Sequence, residues 1–112
     1  GLMASINLTA GTIEIVPVDV VDRTSSTTDL STCSPTFTVL DDNDLPYYEA
    51  ESTTAVNMRI SPLLNTSATH ILGAWPVGHY RLFVGFDIVA SSESVYLGPV
   101  DIYLIDSNIA FT

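Results

Sequence analysis

The stretch AWPVGHYRLFVGFDIV, residues 74–89, decides the fold. From Tyr80 onward the side chains alternate. Tyr80, Leu82, Val84, Phe86 and Ile88 share one face, and Arg81, Phe83, Gly85 and Asp87 share the other. A period of two marks a half-buried strand. Just before it, Pro76 presets φ for a turn, and Gly78 supplies a backbone conformation that other residues resist. In Greek-key sandwiches a Tyr at the start of such a strand closes the corner: its hydroxyl bonds backbone a few residues upstream, and its ring fills the core edge. Trp75, the single Trp of the chain, is expected beneath that corner. Trp75, Pro76, Gly78 and Tyr80 therefore read as a structural corner. The rival reading is a ligand platform made of Trp75, His79 and Tyr80.

Outward from this strand the rest of the chain is also strands and turns. No segment of ten or more residues carries apolar positions at helical spacing, and β-branched residues dominate the apolar set. In PTFTVLD, Phe37 and Val39 are expected inward and Thr36 and Thr38 outward. YYEAEST is expected to return as its hairpin partner. AVNMRI reads as a strand with Val56, Met58 and Ile60 inward, SPLLNTSAT as a loop or a short irregular turn, and HILGAW as a short strand. In the closing strand VYLGPVDIYLID, Val100, Ile102 and Leu104 face in while Asp101, Tyr103 and Ile105 face out, and Gly98-Pro99 suggests a bulge. Near the start, Ile13 and Ile15 share one face and Val16, Val18 and Val20 the other. This phase slip at Val16-Pro17 reads as a bulge or an edge strand able to switch sheets. The expected fold is thus all-β, an antiparallel sandwich of about seven to eight strands with Greek-key or immunoglobulin-like connections. One domain spans 1–112, with 1–10 and 107–112 as extended arms.

Composition bounds the function. With 46% hydrophobic residues in 112, the chain can bury a core. Thirteen carboxylates against three Arg and no Lys give a net charge of −10. Nucleic acid is therefore not expected as a partner, because phosphate binding needs clustered cations. An acidic membrane surface would repel the chain, and no apolar run reaches spanning length. GLMASINLTAG lacks the charged and apolar regions of a secretory signal, which empties the acceptor patterns at Asn7 and Asn65 of meaning. Cys33 is the single cysteine and reads as a structural thiol.

Candidate sites are few. Asp41, Asp42 and Asp44, with Glu49 and Glu51, offer oxygen ligands that suit Ca²⁺, but Leu45-Pro46 interrupts them and the loop glycine is missing, so a solvated hairpin tip is the competing reading. His70 and His79 are too few and too far apart for a zinc site. No nucleophile elbow or phosphate-cradling loop is present. No enzyme and no cofactor are expected.

The segment VVDRTSSTTDLSTCSPTFTVLDDNDLPYYEAES, residues 20–52, resembles the start of small β-sandwich modules of tailed-bacteriophage virion proteins. The resemblance lies in Asp29-Leu30-Ser31, Phe37-Thr38-Val39 and Asp41-Asp42. WPVGHYRLFVGF is similar to their Gly-x-Tyr strand and YLGPVDIYLID to their closing strand, so the likeness spans residues 12–106. It implies a non-enzymatic structural protein of the virion, of decoration, neck or baseplate/fibre-attachment type. Such a subunit acts through contacts with other virion proteins and copies of itself, with the arms reaching neighbours by strand addition. The alternative is a carbohydrate-binding or adhesin-like sandwich that stacks sugars on Trp75 with Tyr47, Tyr48 or Tyr96.

Overall fold

A computed structural model describes residues 5–20, 29–67, 74–88 and 92–106. The fold is all-β. Its strands are β1 (Ser5–Thr9), β2 (Ile13–Ile15), β3 (Val18–Asp19), β4 (Thr36–Asp41), β5 (Pro46–Ser52), β6 (Ala55–Val56), β7 (Arg59–Ile60), β8 (Leu63–Asn65), β9 (Gly78–Ile88) and β10 (Glu93–Ile105). Among the described residues the one other regular element is a 3₁₀ turn at Leu30–Thr32, capped by the Asp29 carboxylate on the Ser31 N–H. A five-stranded sheet runs β1-β10-β9-β4-β5. All its neighbours are antiparallel except β1 with β10, which are parallel. The segment 5–9, read from sequence both as a short strand beginning at Ile6 and Leu8 and as part of an arm, is a strand of this sheet. Residues 23–28 of the polar connection expected at 23–34, residues 70–73 of the strand expected at 70–75 (His70 among them), residues 1–4 of the first arm and the arm 107–112 lie outside the described residues.

The ten strand segments exceed the seven to eight expected because prolines interrupt longer strands. β2 pairs β8 and β3 pairs β7. Ile15 faces Leu63; three residues on, Val18 faces Ile60, so the register passes the break unshifted. Between these pairs the Val16 N–H donates to the Pro62 carbonyl at 2.9 Å. Pro17 and Pro62 have no N–H to give, which splits the ladder without displacing it. The outer ends are closed by Thr66 N–H to Thr12 O (2.9 Å) and Val20 N–H to Met58 O (2.8 Å). Residues 12–20 and 58–66 are thus one antiparallel ribbon, and β6 pairs on its β7 side.

The expected faces and edge position hold, since Ile13 and Ile15 lie opposite Val16, Val18 and Val20 and both β2 and β3 are edge strands, but the expected bulge is corrected. Even-numbered positions point inward: Val16, Ile60, Pro62, Leu64 and Thr66 are buried, and Thr12, Glu14, Val18, Val20 and Met58 are half-buried. Ile13 and Ile15 point outward and are 60% and 62% exposed, beside Leu63 at 52%. A second correction concerns AVNMRI. It is not one alternating strand but a tight hairpin turning at Asn57-Met58, with Asn57 at φ 53° and Val56 exposed. A third is SPLLNTSAT, which contributes β8 instead of a loop.

The core lies between the large sheet and the ribbon. Leu8, Phe37, Val39, Tyr80, Leu82, Val84, Ile102 and Leu104 come from the sheet, and Val16, Ala55, Ile60 and Leu64 from the ribbon and its hairpin. The alternation of β9 and of the second half of β10 places these residues as the sequence reading expects. β10 slips against β9 between Leu97 and Val100, so Gly98-Pro99 is a bulge. Gly98 has φ 134°, and a Cβ there would lie 2.8 Å from the Leu82 carbonyl oxygen and 3.1 Å from Phe83 Cδ1. Gly98→Ala therefore combines backbone strain with a clash against neighbouring backbone. It should destabilise the fold by about 2 kcal/mol, and an unchanged urea midpoint would contradict the close approach.

Candidate functional site

The corner residues assemble at one end of the sandwich. Tyr80 is buried and its hydroxyl donates to the Pro76 carbonyl four residues upstream. Burial, followed by the neighbouring Tyr47, pushes the Tyr80 hydroxyl pKa up. Gly78 takes φ 152° as it enters β9. Trp75 is 4% exposed, with its ring centroid 4.9 Å from Tyr80, 5.2 Å from Tyr47 and 5.9 Å from Tyr48. Its buried indole nitrogen has no hydrogen-bond partner among the described residues. Its backbone N–H donates to Thr66 O at 3.1 Å, fastening the corner to the end of the ribbon.

Tyr47 and Tyr48 are consecutive in β5 yet both buried. On a regular strand they would face opposite ways. Here Val39 faces Tyr48 while Leu40 faces Pro46, so Tyr47 is an extra residue. This bulge turns both rings inward. A platform of Trp75 and Tyr80, or stacking faces on Trp75, Tyr47 and Tyr48, cannot form because those rings are core. Tyr96 is 75% exposed, and it lies over Gly85, where a Cβ would meet its ring at 3.0 Å.

Turn geometry and pairing disperse the acidic tip. The Asp41 carboxylate accepts the Asn43 and Leu45 N–H groups at 2.8 and 2.9 Å, an Asx-type closure of the β4–β5 turn. Asp42 reaches His79, and Asp44 pairs with Arg81, which also donates to the Asp41 carbonyl at 2.6 Å. Among the described residues no three His, Cys, Asp or Glu groups are placed to hold a metal ion. The suggested Ca²⁺ site at Asp41, Asp42 and Asp44 is therefore corrected: the three carboxylates serve the turn and two cations. Cys33 is buried, and its thiol donates to Asp29 O at 3.8 Å.

The grouping that sequence reasoning missed lies on the outer face of the large sheet. His79 Nδ1 is 2.6 Å from Asp42 Oδ1, and Nε2 is 2.8 Å from Asp101 Oδ1. The ring stacks on Tyr103 at 5.0 Å and 27°. Only a doubly protonated imidazole can donate to both carboxylates. The Asp101 and Asp42 bonds accordingly raise the His79 pKa against a smaller opposing effect of burial. A general base needs one nitrogen free to face its substrate, and here a carboxylate occupies each. The arrangement is a cationic tie joining the β4–β5 turn to β9 and β10. Alternation placed His79 and Asp101 on the outward face, but it carries no lateral register, so their meeting was not legible.

Because the folded-state pKa is raised, the tie contributes fully below the unfolded value of about 6.5 and is lost as pH rises through the folded value. Stability should fall across that window, and His79→Gln should flatten the decline relative to the parent chain in urea titrations run at stepped pH. Equal pH profiles would contradict the doubly bonded ring. For the corner, Tyr80→Phe strands the Pro76 carbonyl and should cost about 1–2 kcal/mol, measured by chemical denaturation; no loss would remove the corner bond from the account. In comparisons with known proteins, no family model matches the chain, and no curated protein or solved structure matches it.

Proposed function

We propose that the chain is a non-enzymatic structural module of a tailed-phage virion, an immunoglobulin-like sandwich that works through contacts with copies of itself and with other virion proteins. The immunoglobulin-like reading draws on strand order. Taking each proline-broken strand once, the third, sixth and seventh core strands of an immunoglobulin sandwich correspond to β4, β9 and β10. The second, fifth and fourth correspond to the ribbon strands 12–20 and 58–66 and to β6. A tyrosine near the start of the sixth strand, bonded back to upstream backbone, fits the same scheme.

The observation that carries the assembly reading is the apolar stripe of Ile13, Ile15 and Leu63 on the outward face of the ribbon. Ile15 and Leu63 are directly opposed across two paired strands, with Ile13 two residues on. Adjacent exposed apolar side chains on a sheet face mark an interaction surface more than scattered ones do. The charge of −10 argues against nucleic acid, and no helix among the described residues is long and apolar enough to cross a membrane.

Light scattering over a concentration range tests the reading. A defined multiple of the chain mass is expected, strengthened by salt because screening relieves repulsion between acidic copies. Ile13→Asp should return the protein to a single chain. A single chain at every concentration and salt would overturn self-assembly.

A further inference from the structure

The outer face of the large sheet has a gap at its centre, where Gly85 carries no side chain. Gly85 lies in the middle of β9, opposite Tyr96 of β10 on one side and Thr36 of β4 on the other. Phe83 and Asp87 precede and follow it on the same face, and Ser94 lies opposite Asp87. Neither conformation nor register accounts for this glycine. Its φ is not positive, and both ladders run past it without a bulge. A glycine inside a regular strand costs stability, and it marks a place that another group approaches closely.

Tyr96 makes that approach from one side. Its Cδ1 and Cε1 lie 3.0 and 3.1 Å from where a Gly85 Cβ would be, and Thr36 Oγ1 lies 3.2 Å from the same point. The ring therefore leans over β9, yet it is 75% exposed, so its far face is open to solvent. The other four tyrosines offer no such face: Tyr47, Tyr48 and Tyr80 are core, and Tyr103 stacks on His79. Beside the Tyr96 ring is a depression of about 150 Å³, walled by Phe83, Thr36, Thr38 and Asp87. Pockets for drug-sized ligands run to roughly 300–1,000 Å³, so this space suits a single small ring. Its polar groups are held in place. Ser94 Oγ donates to Asp87 Oδ1 at 2.7 Å, which fixes the carboxylate and leaves Oδ2 without a partner among the described residues. Thr38 Oγ1 accepts the Ala50 N–H at 2.9 Å, which leaves its own O–H to give.

We propose that Tyr96, Gly85, Thr36, Thr38 and Asp87 form a binding site for one pyranose ring of a neutral saccharide. The site is independent of the assembly reading, because it lies on the large sheet and not on the ribbon stripe. The apolar C–H face of a pyranose lies on the open face of Tyr96, and its hydroxyls meet the polar wall. Asp87 Oδ2 only accepts, while the Thr36 and Thr38 hydroxyls also donate. A sugar hydroxyl serves both kinds of partner. An Arg or Lys side chain of a partner protein is the rival occupant for an aromatic ring beside a carboxylate. Such a cation has no acceptor for the Thr38 O–H, and Asp87 is the one carboxylate in the wall. The donor and acceptor pattern therefore favours the sugar.

The isotopically labelled full chain, titrated with the methyl glycosides of glucose, galactose and mannose, tests the site. At least one glycoside should shift the amides of Thr36, Gly85, Asp87 and Tyr96, and saturation transfer should reach its ring C–H protons. Salt should leave that binding unchanged, because the ligand is neutral. Tyr96→Phe keeps the stacking face and should bind within about twofold of the parent, whereas Tyr96→Ala should lose about tenfold in affinity. Asp87→Asn leaves the ring in place and should also weaken binding. Unchanged urea midpoints in the variants separate lost binding from lost folding. No response to any of the three glycosides, shifts centred elsewhere, or parental affinity in Tyr96→Ala would overturn the proposal. So would tighter, salt-sensitive binding of acetyl-arginine amide at the same residues, which would make a basic partner the occupant.

Discussion

The fold depends on one fastening, the bond from the Tyr80 hydroxyl to the Pro76 carbonyl. It sets where β9 begins, and β9 is the central strand on which β4 and β10 both take their register. The same corner reaches the other layer. Trp75 N–H holds Thr66 O, and the neighbouring Tyr48 hydroxyl receives Asn65 N–H. Thr66 is buried but satisfied, since its hydroxyl accepts the Thr12 N–H at 3.1 Å and donates to Thr12 O at 3.0 Å. With a single cysteine, no disulfide can cross-link the layers. Polar ties of this kind therefore fix the position of one sheet over the other, while apolar burial supplies most of the stabilisation.

How much was legible follows from what alternation can and cannot encode. The faces of β4, β9 and the end of β10 were readable because each runs several residues at period two with the core on one side. The ribbon misled because a change of phase in the apolar pattern was taken as a slip of the backbone. Ile13 and Ile15 are β-branched residues on a solvent-facing side, so the true pattern of Thr12, Glu14 and Val16 inward was hidden by a less apolar inner face. Pro17 then looked like the cause of a slip, although a missing donor interrupts bonding without moving register. In β5 the bulge at Tyr47 defeated the rule that neighbours face apart. Nothing local in PYYEAES marks that bulge, since it arises from pairing with Leu40 and from the rings of Trp75 and Tyr80.

The site was legible to the same degree. Trp75, Pro76, Gly78 and Tyr80 could be grouped from sequence because they are neighbours in the chain. Asp42, His79 and Asp101 come from three separate strands or turns, and only lateral register unites them. Their chemistry follows from that union. One imidazole with one carboxylate would be a base in waiting, and a second carboxylate on the other nitrogen turns it into a held cation. Arg81, two residues further along β9, acts in the same way by binding Asp44 and the Asp41 carbonyl. Two of the chain's few cations thus hold the acidic β4–β5 turn against the sheet, where like charges would otherwise push it away.

That use of cations shapes what remains at the surface. With Arg59, Arg81 and His79 engaged by Asp19, Asp44, Asp42 and Asp101, these cations are held within the fold while the chain keeps its acidic excess. Apolar contact centres on the outward ribbon stripe, and backbone pairing on strand edges. β5 is itself a poor edge, because bulges at Tyr47 and near Ala50 (φ 46°) break its ladder, a common defence against unwanted pairing. β8 has no such defence at Leu63. It is left open because the chain must cross from β5 to β6 to close the sandwich at Thr54 and Ser61. The crossing that completes the core therefore leaves Leu63 on an edge that no described strand pairs.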